Sequence, residues 1–132
     1  MSNSELRSGL RVLIVEDEMI VAWALADMLT RIGCVVVGRA ARVNQALAMI
    51  SAEAIDVALL DINLNGEKCF PVADALAKRG VPFVFSTGYH NENLPGAYQC
   101  VPMLQKPFDD STLANMLAKL LMRLEVEVSE RL

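Results

Sequence analysis

Val57-Ala58-Leu59-Leu60-Asp61 is a run of four apolar residues that ends on a carboxylate, with Ile62 and Asn63 following it. A short apolar run without polar alternation is what a strand buried on both faces looks like, and such strands belong to parallel sheets covered by helices. The same unit recurs in both directions along the chain. Arg11-Val12-Leu13-Ile14-Val15 closes on Glu16-Asp17-Glu18, Phe83-Val84-Phe85 is followed by Ser86-Thr87, and Val101 to Gln105 by Lys106-Pro107. Val35 to Ala40 reads as one more strand, with no charged or hydroxyl group of note at its end.

Helical patterns separate these runs. They cover Met19 to Ile32, stopped by Gly33, then Val43 to Ser51, then Phe70 to Arg79, stopped by Gly80. Asp109 or Asp110 can cap a last amphipathic helix that runs to about Val126. Asn91 to Cys100 contains Pro95 and Gly96 and has poor helical periodicity, so a short, frayed or mobile fourth helix is expected there. Strands alternating with helices predict βαβ units, and so an α/β domain with a five-stranded parallel sheet and helices on both faces. The expected organisation is an N-terminal tail over 1–9, one domain over 10–126 and a C-terminal tail over 127–132, with no output domain.

At 132 residues, 54% hydrophobic and 21% charged, the chain suits one globular domain and not a disordered segment. A net charge of −4 without clustered Lys and Arg argues against nucleic acid as the main partner. Met1 to Gly9 lacks the apolar core of a signal peptide, and no later apolar run is long enough to span a bilayer, so a soluble, cytoplasmic protein is expected. Cys34, Cys69 and Cys100 are odd in number and far apart, which predicts reduced, buried thiols with neither a disulfide framework nor a zinc site. His90 is the single histidine, so sites needing two His ligands are excluded, and it reads as a solvated loop residue. Trp23, Met28, Met49, Met116 and Met122 fall in helical patterns and are expected to fill the core. Leu113, Met116, Leu117, Leu120, Leu121 and Leu124 cover more than a narrow stripe of the last helix; core packing is the expected reason, a partner or dimer contact for part of that face the alternative.

In a parallel sheet the carboxyl ends of all strands lie along one edge, and ligands bind there. Glu16, Asp17, Asp61, Thr87 and Lys106 all follow or end strands, so they converge on that edge although they are distant in sequence. Clustered carboxylates repel by about 4 kcal/mol for a pair 4 Å apart at an effective dielectric near 20. They stay together when a hard cation neutralises them, and Mg²⁺ suits a few carboxylates combined with phosphate and water. A carboxylate attacking a phosphoryl group needs no general base, but it must overcome the negative charge of its target. A metal and Lys106 would remove that obstacle.

Val12-Leu13-Ile14-Val15-Glu16-Asp17-Glu18, Leu59-Leu60-Asp61-Ile62-Asn63, Ser86-Thr87-Gly88 and Lys106-Pro107-Phe108 resemble the response-regulator receiver family of two-component signalling, over about Arg11 to Leu124. The resemblance implies a flavodoxin-like (βα)5 doubly wound sheet with Asp61 as phospho-acceptor. It implies that Asp17 binds Mg²⁺ directly, Glu16 mostly through water, and the Asn63 backbone carbonyl completes the metal site. Thr87 would hydrogen-bond the new phosphoryl group and Lys106 would pair with it, and the Lys106-Pro107 bond would be cis. The implied partners are a histidine kinase or histidine phosphotransfer protein and a downstream protein target, without nucleic acid or membrane, the chain being a monomer or weak dimer. The only reactions implied are its own phosphorylation and dephosphorylation.

Pro82-Phe83-Val84-Phe85-Ser86-Thr87-Gly88-Tyr89 also resembles the FAT GUY subgroup of receivers, which often works with HWE-type kinases, although Ser86 replaces the usual Ala. A second departure is Met103, where receivers usually carry the Tyr or Phe that reports phosphorylation. Tyr89 or the segment after it would then substitute. The alternatives are a receiver cut from a longer regulator or hybrid kinase, and a pseudo-receiver that binds partners without phosphorylation. A flavodoxin fits poorly, because Glu16-Asp17-Glu18 would repel a phosphate. A haloacid-dehalogenase-type phosphatase fits poorly too, because Asn63 stands where it needs a second acid.

Overall fold

The computed structural model describes residues 8–88 and 94–131, with side chains as far as residue 122. Its elements are β1 (Arg11–Val15), α1 (Met19–Arg31), β2 (Val35–Ala40), α2 (Val43–Ala52), β3 (Val57–Asp61), β4 (Asn63–Leu64), β5 (Glu67–Lys68), α3 (Phe70–Lys78), β6 (Phe83–Thr87), β7 (Met103–Gln105) and α4 (Asp110–Arg131). The main sheet is parallel with order β2-β1-β3-β6-β7, the flavodoxin-like arrangement that the resemblance implied. Period-two alternation divides each central strand between two cores. Val12, Ile14, Leu59, Val84 and Leu104 face α1 and α4, where Leu25, Leu29, Leu113 and Leu117 meet them. Leu13, Val15, Ala58, Leu60 and Phe85 face α2 and α3, against Ala46, Ile50, Val72 and Leu76.

α1 stops where Gly33 takes φ 94, a left-handed exit that lets the Cys34 N–H reach back to the Leu29 carbonyl at 2.8 Å. β4 and β5 form a separate antiparallel hairpin that the sequence pattern did not predict. Asn65 and Gly66 both take positive φ, 51 and 91, as a two-residue type I′ turn demands. This hairpin follows β3 directly and stands beside Asp61.

Between β6 and β7 the described residues contain one 3-10 turn, Gly96–Tyr98, where a short, frayed or mobile fourth helix was expected. Pro95 removes a donor and Gly96 costs backbone entropy, which together disfavour a regular helix. Tyr89, His90 and the first part of the expected helix lie outside the described residues. Trp23 is not a packing residue: it is 54% exposed, with Met19 at 66% and Ile20 at 80%. α1 buries Ala22, Leu25 and Leu29, so Trp23 sits about 100° round the helix from the inward face. Met122 is likewise exposed, whereas Met28, Met49 and Met116 pack against the cores as expected. Cys34 and Cys69 are buried thiols, but Cys100, just after the 3-10 turn, is exposed. α4 continues to Arg131, past the expected end at Val126. Among the described residues no helix is long and apolar enough to cross a membrane.

Leu59 is 1% exposed at the centre of the sheet. Leu59→Ala is expected to lower the unfolding free energy by about 2–5 kcal/mol, read from urea denaturation midpoints.

Candidate functional site

The carboxyl edge of β1, β3 and β6 opens into a cleft of about 480 Å³ lined by Asp17, Glu18, Asp61, Asn63, Asn65, Gly66, Gly88 and Lys106. Each side chain arrives there for a backbone reason. Asp61 is the last residue of β3, and Glu16 and Asp17 occupy the turn between β1 and α1. Lys106 directly follows β7 and is anchored by its N–H, which donates to the Thr87 carbonyl at 2.8 Å. The Lys106-Pro107 peptide is cis.

Lys106 ties the site together. Its Nζ donates to Glu16 Oε1 at 2.6 Å and to Asp61 Oδ2 at 3.1 Å. Asp61 Oδ1 accepts the Asn63 N–H at 3.2 Å, and Asp17 Oδ2 accepts the Asn65 N–H at 2.8 Å. Across the hairpin, Lys68 Nζ donates to Asn63 Oδ1 at 2.6 Å. One oxygen each from Glu16, Asp17 and Asp61 lie within 4.8 Å of one another. Three carboxylates at that spacing, at the mouth of a polar cleft, form a donor set suited to a small hard cation.

Glu16 is buried, and burial pushes its carboxyl up to about 7, against the opposing hydrogen bond from Lys106 and with the help of the nearby Asp61 charge. For Lys106 burial acts downward, but the Glu16 hydrogen bond and the Asp61 charge outweigh it and hold the ammonium above its ordinary value.

The residues singled out in the sequence therefore fall into two layers. Asp17, Asp61, Asn63 and Lys106 line the cleft, while Glu16 lies beneath it and Thr87, 2% exposed, lies behind it. Sequence reading missed Asn65, whose backbone N–H holds Asp17. The signal was present as Asn65-Gly66, a two-residue hairpin turn. It also missed Tyr98. Its ring stacks on Phe70 and meets Phe83 and Phe85 edge-on, and its hydroxyl hydrogen-bonds Asp74 of α3. Met103, noted in the sequence as a departure from the receiver pattern, packs partly buried against the same core.

Residues 12–118 match the family model of the response regulator receiver domain. The sensory transduction protein LytT of Bacillus subtilis (strain 168) is 33% identical over 114 residues, which cover 83% of this chain and 47% of LytT. The chain thus spans about half the length of that relative. SdrG from Sphingomonas melonis Fr1 superposes with a TM-score of 0.78 at 43% identity, covering 88% of this chain and 99% of SdrG. The receiver domain of the PhyR response regulator of Erythrobacter litoralis superposes with a TM-score of 0.77 at 30% identity, covering 87% of this chain and 92% of that domain.

A raised carboxyl means that the folded chain holds a proton which the unfolded chain has lost, so stability falls as pH rises between those two values. For Glu16 the window runs from 4.5 to about 7, its contribution being fully present below the lower value and lost above the upper. In chelator-treated protein, Glu16→Gln is expected to flatten the fall in urea midpoint across this window. An unchanged slope would place the titration elsewhere.

Proposed function

Because the chain belongs to the response-regulator receiver family, we propose that it is a Mg²⁺-dependent phospho-accepting receiver in which Asp61 takes the phosphoryl group. Phosphorylation changes its affinity for a protein target. The observation that carries this reading is the convergence of three carboxylates within 4.8 Å with the Lys106 ammonium 3.1 Å from Asp61. The donor is a histidine kinase, of the HWE type that the sequence resemblance suggests, or a histidine phosphotransfer protein.

In the transfer, an Asp61 oxygen forms a bond to phosphorus as the donor's phosphorus–nitrogen bond breaks, and the electron pair leaves with the imidazole. A Mg²⁺ held by Glu16, Asp17, Asp61 and the Asn63 carbonyl would supply positive charge to the phosphoryl oxygens. Lys106, hydrogen-bonded to Asp61, would neutralise further charge on the phosphoryl oxygens. Thr87, buried at the end of β6, would hydrogen-bond the acyl phosphate.

A donor protein must also cover what flanks the cleft. α1 begins immediately after Glu18, a cleft residue, and presents Met19, Ile20 and Trp23 to solvent. An apolar surface beside a charged cleft fits a protein donor better than a small molecule.

Incubation with Mg²⁺ and a small phosphodonor is expected to add one phosphoryl group, seen by intact mass. Asp61→Asn should add none, and Lys106→Ala should slow the addition by about a hundredfold or more. Absence of any phosphoryl adduct on the wild type would sink the reading. Trp23→Ala is expected to slow transfer from a protein donor while leaving the small-donor rate unchanged. Equal slowing with both donors would remove α1 from the docking surface.

A further inference from the structure

Strand register places Asp61 opposite Ser86, and Ser86 opposite Leu104. One step beyond the pair Val15 and Leu60, Glu16 comes level with Asp61. Ile14, Leu59, Val84 and Leu104 all face the α1 and α4 core. Two residues on from each, period-two alternation sends Glu16, Asp61, Ser86 and Lys106 to that same side. Glu16, Asp61 and Ser86 therefore form one row across three neighbouring strands, and Lys106 enters the row from β7, the strand next to Ser86.

A lysine ammonium has three N–H donors. Lys106 directs two of them to Glu16 and Asp61. Ser86, the remaining member of the row, is 2% exposed, and its Oγ has no hydrogen-bond partner among the described residues. A buried hydroxyl left unpaired is a cost that alanine at this position would not carry. The cost is intelligible when the hydroxyl is needed in another state of the same site.

We propose that Ser86 is a positioning residue for the phosphoryl transfer, its Oγ accepting a hydrogen bond from the Lys106 ammonium once the site is loaded. This rests on the phospho-acceptor reading of Asp61. Glu16 and Asp61 would give oxygens to a bound cation, and the new phosphoryl bond would occupy one Asp61 oxygen. Lys106 then loses acceptors that it holds in the unmodified protein. Ser86 lies in the same row on the strand beside Lys106, and it is enclosed, so water competes poorly for its lone pairs. The hydroxyl keeps the ammonium over β6, where it can meet the phosphoryl oxygens, and not withdrawn towards Glu16.

Beryllofluoride with Mg²⁺ mimics the loaded site, and its affinity can be read from the Gly88 and Lys106 amide resonances. Ser86→Ala is expected to weaken that affinity by about threefold to tenfold, the ordinary effect of one lost hydrogen bond. Ser86→Thr, which keeps the hydroxyl, should recover most of the loss. Without beryllofluoride, Ser86→Ala should melt no lower than the wild type, so that weaker binding is not a folding defect. In a Lys106→Ala background, Ser86→Ala should have no further effect. Equal affinities of the wild type and Ser86→Ala overturn the proposal, as does an undiminished effect of Ser86→Ala when Lys106 is absent. A wild type that does not respond to beryllofluoride overturns the phospho-acceptor reading itself, and this inference with it.

Discussion

The carboxyl edge of this sheet is governed by one electrostatic constraint: three carboxylates are held together by a backbone that does not let them move apart. Glu16 and Asp17 follow β1 and Asp61 ends β3, and β1 and β3 are locked side by side by the parallel ladder. Their repulsion can be relieved only by what enters between them. Lys106 enters from β7, across the end of β6, and binds two of the three. Its single charge leaves the cluster net negative, and burial, with the Asp61 charge adding to it, keeps the Glu16 carboxyl raised despite a 2.6 Å bond to the ammonium. Burial rather than pairing decides the sign there, because desolvation of a carboxylate is not repaid by one good hydrogen bond. A site in this condition attracts a second cationic group, and this is the physical root of both the metal and the phosphoryl chemistry proposed for it.

The rest of the structure keeps that edge rigid. The central strands are apolar on both faces, so each is clamped between α1 and α4 on one side and α2 and α3 on the other. The β4–β5 hairpin adds a local brace. Its turn residue Asn65 donates to Asp17, and Asn63 donates to Asp61, so two of the three acids are held by backbone N–H groups of one short segment. Charge-assisted bonds of this kind fix an acid without neutralising it. The acids are therefore oriented but still able to draw a cation.

The sequence made the sheet legible because each central strand is a continuous apolar run, and the polar residue after each run marks its carboxyl end. Asp61 and Lys106 could be placed in one site from strand order alone. What stayed hidden has specific causes. β4 and β5 are two residues each, too short for any periodicity, so only the Asn65-Gly66 turn announced them. The first half of α1 is apolar all round, from Met19 through Leu25, so the pattern does not say which side faces in. The sheet decides, taking Ala22, Leu25 and Leu29 and leaving Trp23 outside. Met122 is exposed for a similar reason, since α4 carries more apolar residues than its inward face can use. The row formed by Glu16, Asp61 and Ser86 required the strand register, which no single strand encodes.

Tyr98 supplies the fourth ring of the aromatic cluster formed with Phe70, Phe83 and Phe85. An aromatic side chain at position 103 would lie on β7, where Met103 packs partly buried beside the α2 and α3 core. The ring that fills the aromatic cluster comes instead from the 3-10 turn before β7, stacked on Phe70 and edge-on to Phe83 and Phe85. Phe85 belongs to the same strand as Ser86 and Thr87, and the Tyr98 hydroxyl binds Asp74 on α3. One packed path thus joins the end of β6 to the surface of α3. Proximity alone does not make such a path a conductor. It does place an aromatic group with a polar tip in contact with both β6 and α3. The aromatic cluster beside β6 is thus completed by the turn before β7 and tied to α3 through Asp74.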